Sequence, residues 1–491
     1  MGWRLSSNSA TYAALFLIVL LGAFLRIYHV NYQSPWYDEE LSLVESHAPL
    51  DRIIDFSLGH DSNFPADTQP PFYFYVLHFW FFIFGPGVLQ ARLLSATAGI
   101  LSLPMLFLVA KRMYDSHTAL LSALLLCVSQ LGICYSQEIR PYECLLLIFL
   151  VTLYFWLIAV SRRSSLAWCG CVVGMVLMVA THYYGAFAIA GLVAYTALRW
   201  RVKRIPVSWI VGAVSGLGVA MLPWLAVVFA GQLKKVSTQR TAPWFAVNRW
   251  TLVSTINKFN NGSVKGLLNS APLWTFAVGG LLFTGPVILM VDRWLRRAET
   301  PPAERDSTAL LVILIVVSLL AAISGGMVYL PYTVRYVAFC IGPYYILTAA
   351  GICRLRPAFI RPVIVVVLLS YSVYALRANY FIPYKENYRD AVAYLSDRAR
   401  GDDCYAFVPW GRPPLAWSFY TSLPVPKTLI APDRDLQSAM ECPRVWVVFQ
   451  SRVLARPPKD WQELLQRVEV NRQKRDERQF FWVKVELYDS H

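Results

Sequence analysis

Long apolar stretches broken by short charged clusters set the rhythm of this chain. Apolar runs of about 17–25 residues are long enough to cross a hydrocarbon core as helices. They fall near 11–28, 88–110, 118–135, 142–160, 166–183, 185–198, 207–230, 271–291, 308–330, 336–352 and 361–377. The run 72–84, FYFYVLHFWFFIF, is aromatic and shorter. As a helix it rises only about 20 Å against a core of about 30 Å, so it reads either as a twelfth span or as a helix lying in the interface. From about residue 379 the pattern changes. A helix is expected around 387–399, a strand around 403–408, a short apolar run at 444–450 and a helix over 459–468. The chain then ends in RQFFWVKVELY, whose valines alternate with charge as in a strand. The expected organisation is a membrane domain over 1–378, with a first outer loop at 29–87, and a small α/β domain over 379–491.

Composition agrees with the pattern. Of 491 residues, 56% are hydrophobic and 15% charged, whereas soluble domains run near 45–50% and about 25%. The first apolar run follows one early Arg and lacks a small-residue cleavage site, so it reads as a retained span. A net charge of +15 invites nucleic acid as a partner, but most of the basic residues sit in short clusters between apolar runs, where they orient spans. That distribution excludes a nucleic-acid groove. With 72–84 outside the membrane, segments 111–116, 161–165, 199–204, 292–305 and 353–362 share the side of Arg4 and, together with Arg4, hold 16 Lys and Arg. If 72–84 crossed, all these clusters would move outside. The positive-inside rule therefore favours eleven spans, a cytoplasmic N-terminus and an extracytoplasmic C-terminal region.

On the outer face lie loop 29–87, the turn 135–142, the turn 182–185, loop 231–270, the turn before residue 336 and everything after 378. Residues 31–70 hold eight acids and one base, Arg52. SPWYDEELSLVESHA (34–48) places Asp38, Glu39 and Glu40 together. They read as a solvated loop, as Asp38 capping a helix that starts at Glu39, or as a catalytic carboxylate at the membrane surface. YSQEIRPYE (135–143) carries Glu138, Arg140 and Glu143, with Tyr142 beside them, at a junction of spans, either as interfacial anchors with an internal ion pair or with Arg140 holding an anionic head group. Arg92 is open to snorkelling as much as to function. Arg335, beside Tyr336, is a second phosphate ligand or an ordinary loop charge. His182 is a ligand or proton carrier, or else a hydrogen-bonded interface residue. Loop 231–270 is basic and suits anionic lipid head groups. Seven cysteines lie in or beside apolar runs without zinc-ligand spacing, whereas Cys404 and Cys442 fall in the polar tail and could pair if it is exported. Carboxylates in the first loop and arginines on later turns would surround one membrane-edge cavity. That inventory suits transfer of a group from a lipid-linked phosphate.

With the loops placed, the sequence resembles the membrane glycosyltransferases that use polyprenyl-phosphate sugars (GT-C fold), among them the protein O-mannosyltransferases and the bacterial lipid A aminoarabinose transferases. The resemblance runs over most of 10–380 through YDEE (37–40), QPPFYFYVLHFW (69–80), ARLLSATAGI (91–100), YSQEIRPY (135–142), THYYG (181–185) and RY (335–336). YKENYRDAVAYL resembles the start of the exported tail in bacterial members. The resemblance implies a helical membrane fold with juxtamembrane helices in the first outer loop, a polyprenyl-phosphate sugar donor, and an acceptor on the outer face of a bacterial plasma membrane. The acceptor class, whether lipid, polysaccharide or protein, stays open. It also implies that Asp38 is the base, or the acceptor-orienting carboxylate, of an inverting displacement, with Glu39 its partner. One departure matters: the residue before the Pro pair is commonly His or Lys in the family, and here it is Gln69, a neutral donor to phosphate. A divalent metal occurs in some relatives, but the sequence offers no ligand set for one, so the metal stays unassigned. The alternative class is a transporter or flippase of a lipid-linked sugar, which would want polar groups along the middle of several spans.

Overall fold

A long helix near the N-terminus, α1 (Ser7–Ile27), opens the chain. It is followed by α2 (Tyr37–His47), α3 (Leu50–Leu58), the aromatic α4 (Phe72–Phe84) and α5 (Val88–Met113). Then come α6 (Ser116–Cys127), α7 (Gln130–Ser136), α8 (Tyr142–Arg162), α9 (Ser165–Thr181), α10 (Gly185–Lys203) and α11 (Val207–Trp224). Beyond α12 (Thr251–Asn261), α13 (Leu273–Gly279) runs through a π turn into α14 (Gly285–Leu295), followed by α15 (Pro302–Val328), α16 (Ile341–Arg354) and α17 (Ile360–Phe381). This computed structural model describes residues 7–58, 69–203, 205–224, 247–262, 273–296, 300–328, 330–409, 412–415, 417–422, 429–432, 442–450 and 458–490. Much of the basic loop 231–270 lies outside them.

The chain is a multi-pass membrane protein. Among the described residues seven helices are long and apolar enough to cross a membrane, or eight if the bent pair α6–α7 is one span. The expected spans at 166–183, 185–198 and 207–230 appear as shorter apolar helices, Ser165–Thr181, Gly185–Trp200 and Val207–Leu222. A count of eleven needs all three to cross. The expected span at 118–135 is not one straight rod, because α6 and α7 meet at 57°. Ser129 restarts the helix by accepting the Gly132 N–H at 3.1 Å. The break frees carbonyls that no water in a bilayer core could satisfy. Arg26, fully buried at the end of α1, supplies the donors: its guanidinium donates to the carbonyls of Leu126 at 3.0 Å and Cys127 at 3.3 Å. Close by, α5 passes over α7 at Gly99, where a Cβ would stand 2.2 Å from Ser136 Oγ, 2.9 Å from Arg26 Nε and 3.1 Å from Glu143 Oε2.

The chain divides into two compact units. The first comprises Met1–Val30, Ala48–Phe84 and Ala91–Phe381, and the second Asn31–His47, Gly85–Gln90 and Ile382–His491. The second unit therefore takes in α2 along with the C-terminal residues. Its remaining elements are α18 (Tyr388–Ser396), β1 (Cys404–Val408), the short α19 (Trp417–Tyr420), β2 (Arg444–Gln450), α20 (Lys459–Asn471), β3 (Arg472–Phe480) and β4 (Val483–Ser490). The strands lie in the order β1-β2-β4-β3, with β1 and β2 parallel and the other pairs antiparallel. Side chains alternate across a strand. Cys404, Ala406 and Val408 accordingly pack with Trp461, Leu464 and Val468 of α20, while Tyr405 and Phe407 pack with Tyr388, Val392 and Leu395 of α18. Cys404 and Cys442 form a disulfide on the α20 side.

Candidate functional site

The sequence-derived candidates fall into two groups, one in each unit. In the first unit, the turn 137–141 is pinned by Gln137, whose Nε2 donates to the carbonyls of Arg26 at 3.1 Å and Tyr28 at 2.8 Å, while Asn379 donates to its Oε1 at 3.0 Å. Ser95 Oγ donates to the Arg140 carbonyl at 3.3 Å. These bonds hold Glu138, Arg140 and Tyr142, all buried, at the start of α8. His182 ends α9, its N–H bonded to the Met178 carbonyl at 3.0 Å. Its ring lies 4.9 Å from the Tyr336 ring, 5.5 Å from that of Tyr184 and 5.9 Å from that of Tyr142. The Arg140 guanidinium is 6.0 Å from the Tyr142 ring centre and that of Arg335 is 5.5 Å from the Tyr336 ring centre. Five of the candidates, Arg140, Tyr142, His182, Arg335 and Tyr336, thus form one basic, aromatic cluster.

Electrostatics fix the state of its centre. Burial, with the nearby guanidiniums of Arg140 and Arg335, pushes the His182 pKa down to about 3. The imidazole is therefore neutral at any ordinary pH. Its Nδ1 accepts the Tyr184 N–H at 3.1 Å, which leaves the proton on Nε2. That N–H is buried, the residue being 2% exposed, and has no hydrogen-bond partner among the described residues. Tyr184, whose hydroxyl donates to the Pro331 carbonyl, is kept protonated by burial and by Tyr336 and Tyr332. Tyr184 was not among the expected site residues, although it lies inside THYYG.

Gln69 and Arg92 are buried in the same unit. The Gln69 carbonyl accepts Ser57 Oγ at 3.2 Å, and Arg92 donates to the Val30 carbonyl at 3.0 Å.

The acidic stretch belongs to the second unit. Helix α2 begins at Tyr37, so Asp38 is not the cap of a helix starting at Glu39. Glu39 does the capping: its carboxylate reaches back to the Trp36 N–H at 3.4 Å, as a third-position Glu does in a capping box. The same oxygen takes the Lys385 ammonium at 2.7 Å, in a pair only 0% and 4% exposed at Glu39 and Lys385. Glu40 accepts the Leu415 N–H at 3.0 Å and the Tyr420 hydroxyl at 2.8 Å. Asp38 is half-buried in the first turn of the helix. Lys385 escaped the sequence reading, because nothing in YKENY marks it as the partner of a residue 346 positions earlier. Among the described residues no three His, Cys, Asp or Glu side chains gather as metal ligands would.

Comparison with known proteins extends this picture. The family model described as dolichyl-phosphate-mannose-protein mannosyltransferase matches residues 68–226. An uncharacterised protein of Aquifex aeolicus is 24% identical over 191 residues, which span 38% of this chain and 38% of that one. The crystal structure of ArnT from Cupriavidus metallidurans in the apo state superimposes with a TM-score of 0.62 at 13% identity, covering 98% of both chains. Its structure bound to undecaprenyl phosphate gives 0.58 at 14%, covering 98% of this chain and 97% of that one. The Archaeoglobus fulgidus oligosaccharyltransferase, in a complex with Zn and sulfate, gives 0.51 at 14%, covering 81% of this chain and 60% of that one. The fold is the one the resemblance implied: a helical membrane body of the GT-C kind with a small C-terminal sheet domain.

Proposed function

We propose that the protein is an inverting glycosyltransferase that moves a sugar from a polyprenyl-phosphate donor to an extracytoplasmic acceptor. The observation that carries this reading is the neutral His182, its Nε2–H unbonded among the described residues and set with Arg140 and Arg335 among tyrosine rings. Two guanidiniums offer charge-assisted bonds to a phosphate, and a neutral imidazole adds a donor without adding charge. The ArnT structure with undecaprenyl phosphate, of like fold, supports the choice of anion. In the reaction, the acceptor oxygen forms a bond to the anomeric carbon while the carbon–oxygen bond to phosphate breaks. The acceptor's proton is assigned to Asp38, of the second unit, on the resemblance to the polyprenyl-phosphate-sugar transferases alone. Arg140, His182 and Arg335 hold the polyprenyl phosphate as it leaves with its negative charge. Glu39 positions α2 through Trp36 and Lys385. Eleven spans, a cytoplasmic N-terminus and an extracytoplasmic second unit complete the proposal, supported by the clustering of Lys and Arg on one side and by the Cys404–Cys442 disulfide, which needs an oxidising compartment.

The test uses purified protein and a panel of radiolabelled polyprenyl-phosphate sugars. Asp38→Asn is expected to lower turnover by about 10²–10⁴ with donor binding kept. His182→Phe is expected to weaken undecaprenyl-phosphate binding by about tenfold, the value of a buried bond to a charged acceptor. Full turnover in Asp38→Asn would remove the carboxylate from the chemistry. A wild-type protein that binds donors but transfers none would turn the reading towards a transporter.

A further inference from the structure

The second unit contains a cleft of about 100 Å³ whose walls include Tyr37, Glu40, Glu386, Arg412, Leu415 and Gln450. One water takes roughly 10–15 Å³ on this measure, so the cleft admits a group of the order of one sugar ring. Its wall is built rather than incidental. Glu40 fixes the segment 412–415 through the Leu415 N–H at 3.0 Å, and Gln450 Nε2 donates to the Arg412 carbonyl at 3.4 Å. Gln450 itself is buried at the end of β2.

The lining has both signs of charge: two carboxylates, a guanidinium and an amide, beside a tyrosine that is 44% exposed. An anion would meet Glu40 and Glu386, and an acyl chain would desolvate all the polar groups. A ring of hydroxyls suits the set. Each hydroxyl both donates and accepts, so carboxylates and guanidinium are matched together, and the Tyr37 face offers an amphipathic surface to the ring's C–H side. Tyr37 also precedes Asp38 in the first turn of α2. We infer that this cleft is the acceptor subsite and that the acceptor presents a carbohydrate. The inference rests on the transferase reading for the word acceptor, while sugar binding itself can be measured without it.

Saturation-transfer NMR on the full-length protein in detergent, without donor, reads that binding. The probes are the methyl glycosides of glucose, mannose and N-acetylglucosamine. Signal transfer to at least one of them is expected, with affinity weakened about tenfold or more in both Arg412→Ala and Glu386→Gln, since each removes a charged hydrogen-bonding partner. A surface change on α20, Lys459→Ala, should leave it unaltered and reports on handling of the variants. Displacement by a soluble oligosaccharide or by glucosyl diacylglycerol in nanodiscs then assigns the sugar to a polysaccharide or to a lipid, either of which supports the proposal. No transfer to any glycoside would overturn it, as would a signal indifferent to both variants or one displaced by a Ser/Thr-rich peptide alone. Because the donor is absent, failure here leaves the transferase reading intact. Failure of the panel of donors would equally leave a measured sugar site.

Discussion

Glu39 and Lys385 form a pair with almost no access to water, and burying two charges is repaid only when both are present. Lys385→Met should therefore take the ammonium away from a buried carboxylate and destabilise the second unit by about 3–5 kcal/mol. The double change Glu39→Gln with Lys385→Met should recover most of this loss, and thermal unfolding of the two variants side by side checks it. His182 carries a pH prediction of definite sign. In the unfolded chain an imidazole takes up a proton below about pH 6.5, but in the folded protein His182 does so only near 3. Between these values the unfolded state binds the extra proton, so stability falls as pH drops below about 6.5 and is untouched above it. His182→Phe should flatten that part of the unfolding midpoint against pH. Single residues were also where the sequence was most and least legible. Arg140, His182 and Arg335 announced themselves as charge or imidazole at the ends of apolar runs, where such groups are costly. The engagement of Glu39 did not, because its partner is remote in the chain and a lysine in a polar tail is unremarkable.

At the level of elements, hydrophobic runs located the seven or eight helices long and apolar enough to cross a membrane. The strand expected around 403–408 is β1, and the alternation in RQFFWVKVELY falls on β4, whereas β2 was read only as a short apolar run. Two features were invisible for physical reasons. The bend between α6 and α7 carries no Pro or Gly at the break: it rests on Ser129 restarting the helix and on Arg26 arriving from α1, and no local pattern records a donor one hundred residues away. Strand β3, RQKRDERQF, is mostly exposed and charged because it is an edge strand, where charge discourages pairing with other chains. Its period is therefore not one of apolar residues. The tight crossing at Gly99 allows a direct test. Gly99→Ala would push a methyl into Ser136 Oγ and the Arg26 side chain, and overpacking of this kind costs about 1–3 kcal/mol. A lowered melting temperature in detergent is expected, and an unchanged one would mean that α5 and α7 are free to separate.

For the whole molecule, the sequence separated a membrane body from an α/β tail, but it assigned α2 to the body. The structure groups α2 with the C-terminal residues. Reduction of the Cys404–Cys442 bond, whose cysteines are 38 residues apart, should destabilise the second unit by about 2–4 kcal/mol and leave the membrane helices folded. Circular dichroism and intrinsic fluorescence of the reduced protein would separate these effects. The lateness of Lys385 has a consequence for biogenesis. The ribosome makes α2 within the first fifty residues, yet Glu39 must wait for an ammonium that is synthesised 346 residues later, after the last membrane helix. Until then the nascent chain carries the Glu39 carboxylate without the ammonium it is buried against, although its bond to the Trp36 N–H is local to the turn. A chain clipped before residue 385 therefore lacks the partner against which Glu39 is buried, and the two ends of the chain have to be made before this ion pair can form.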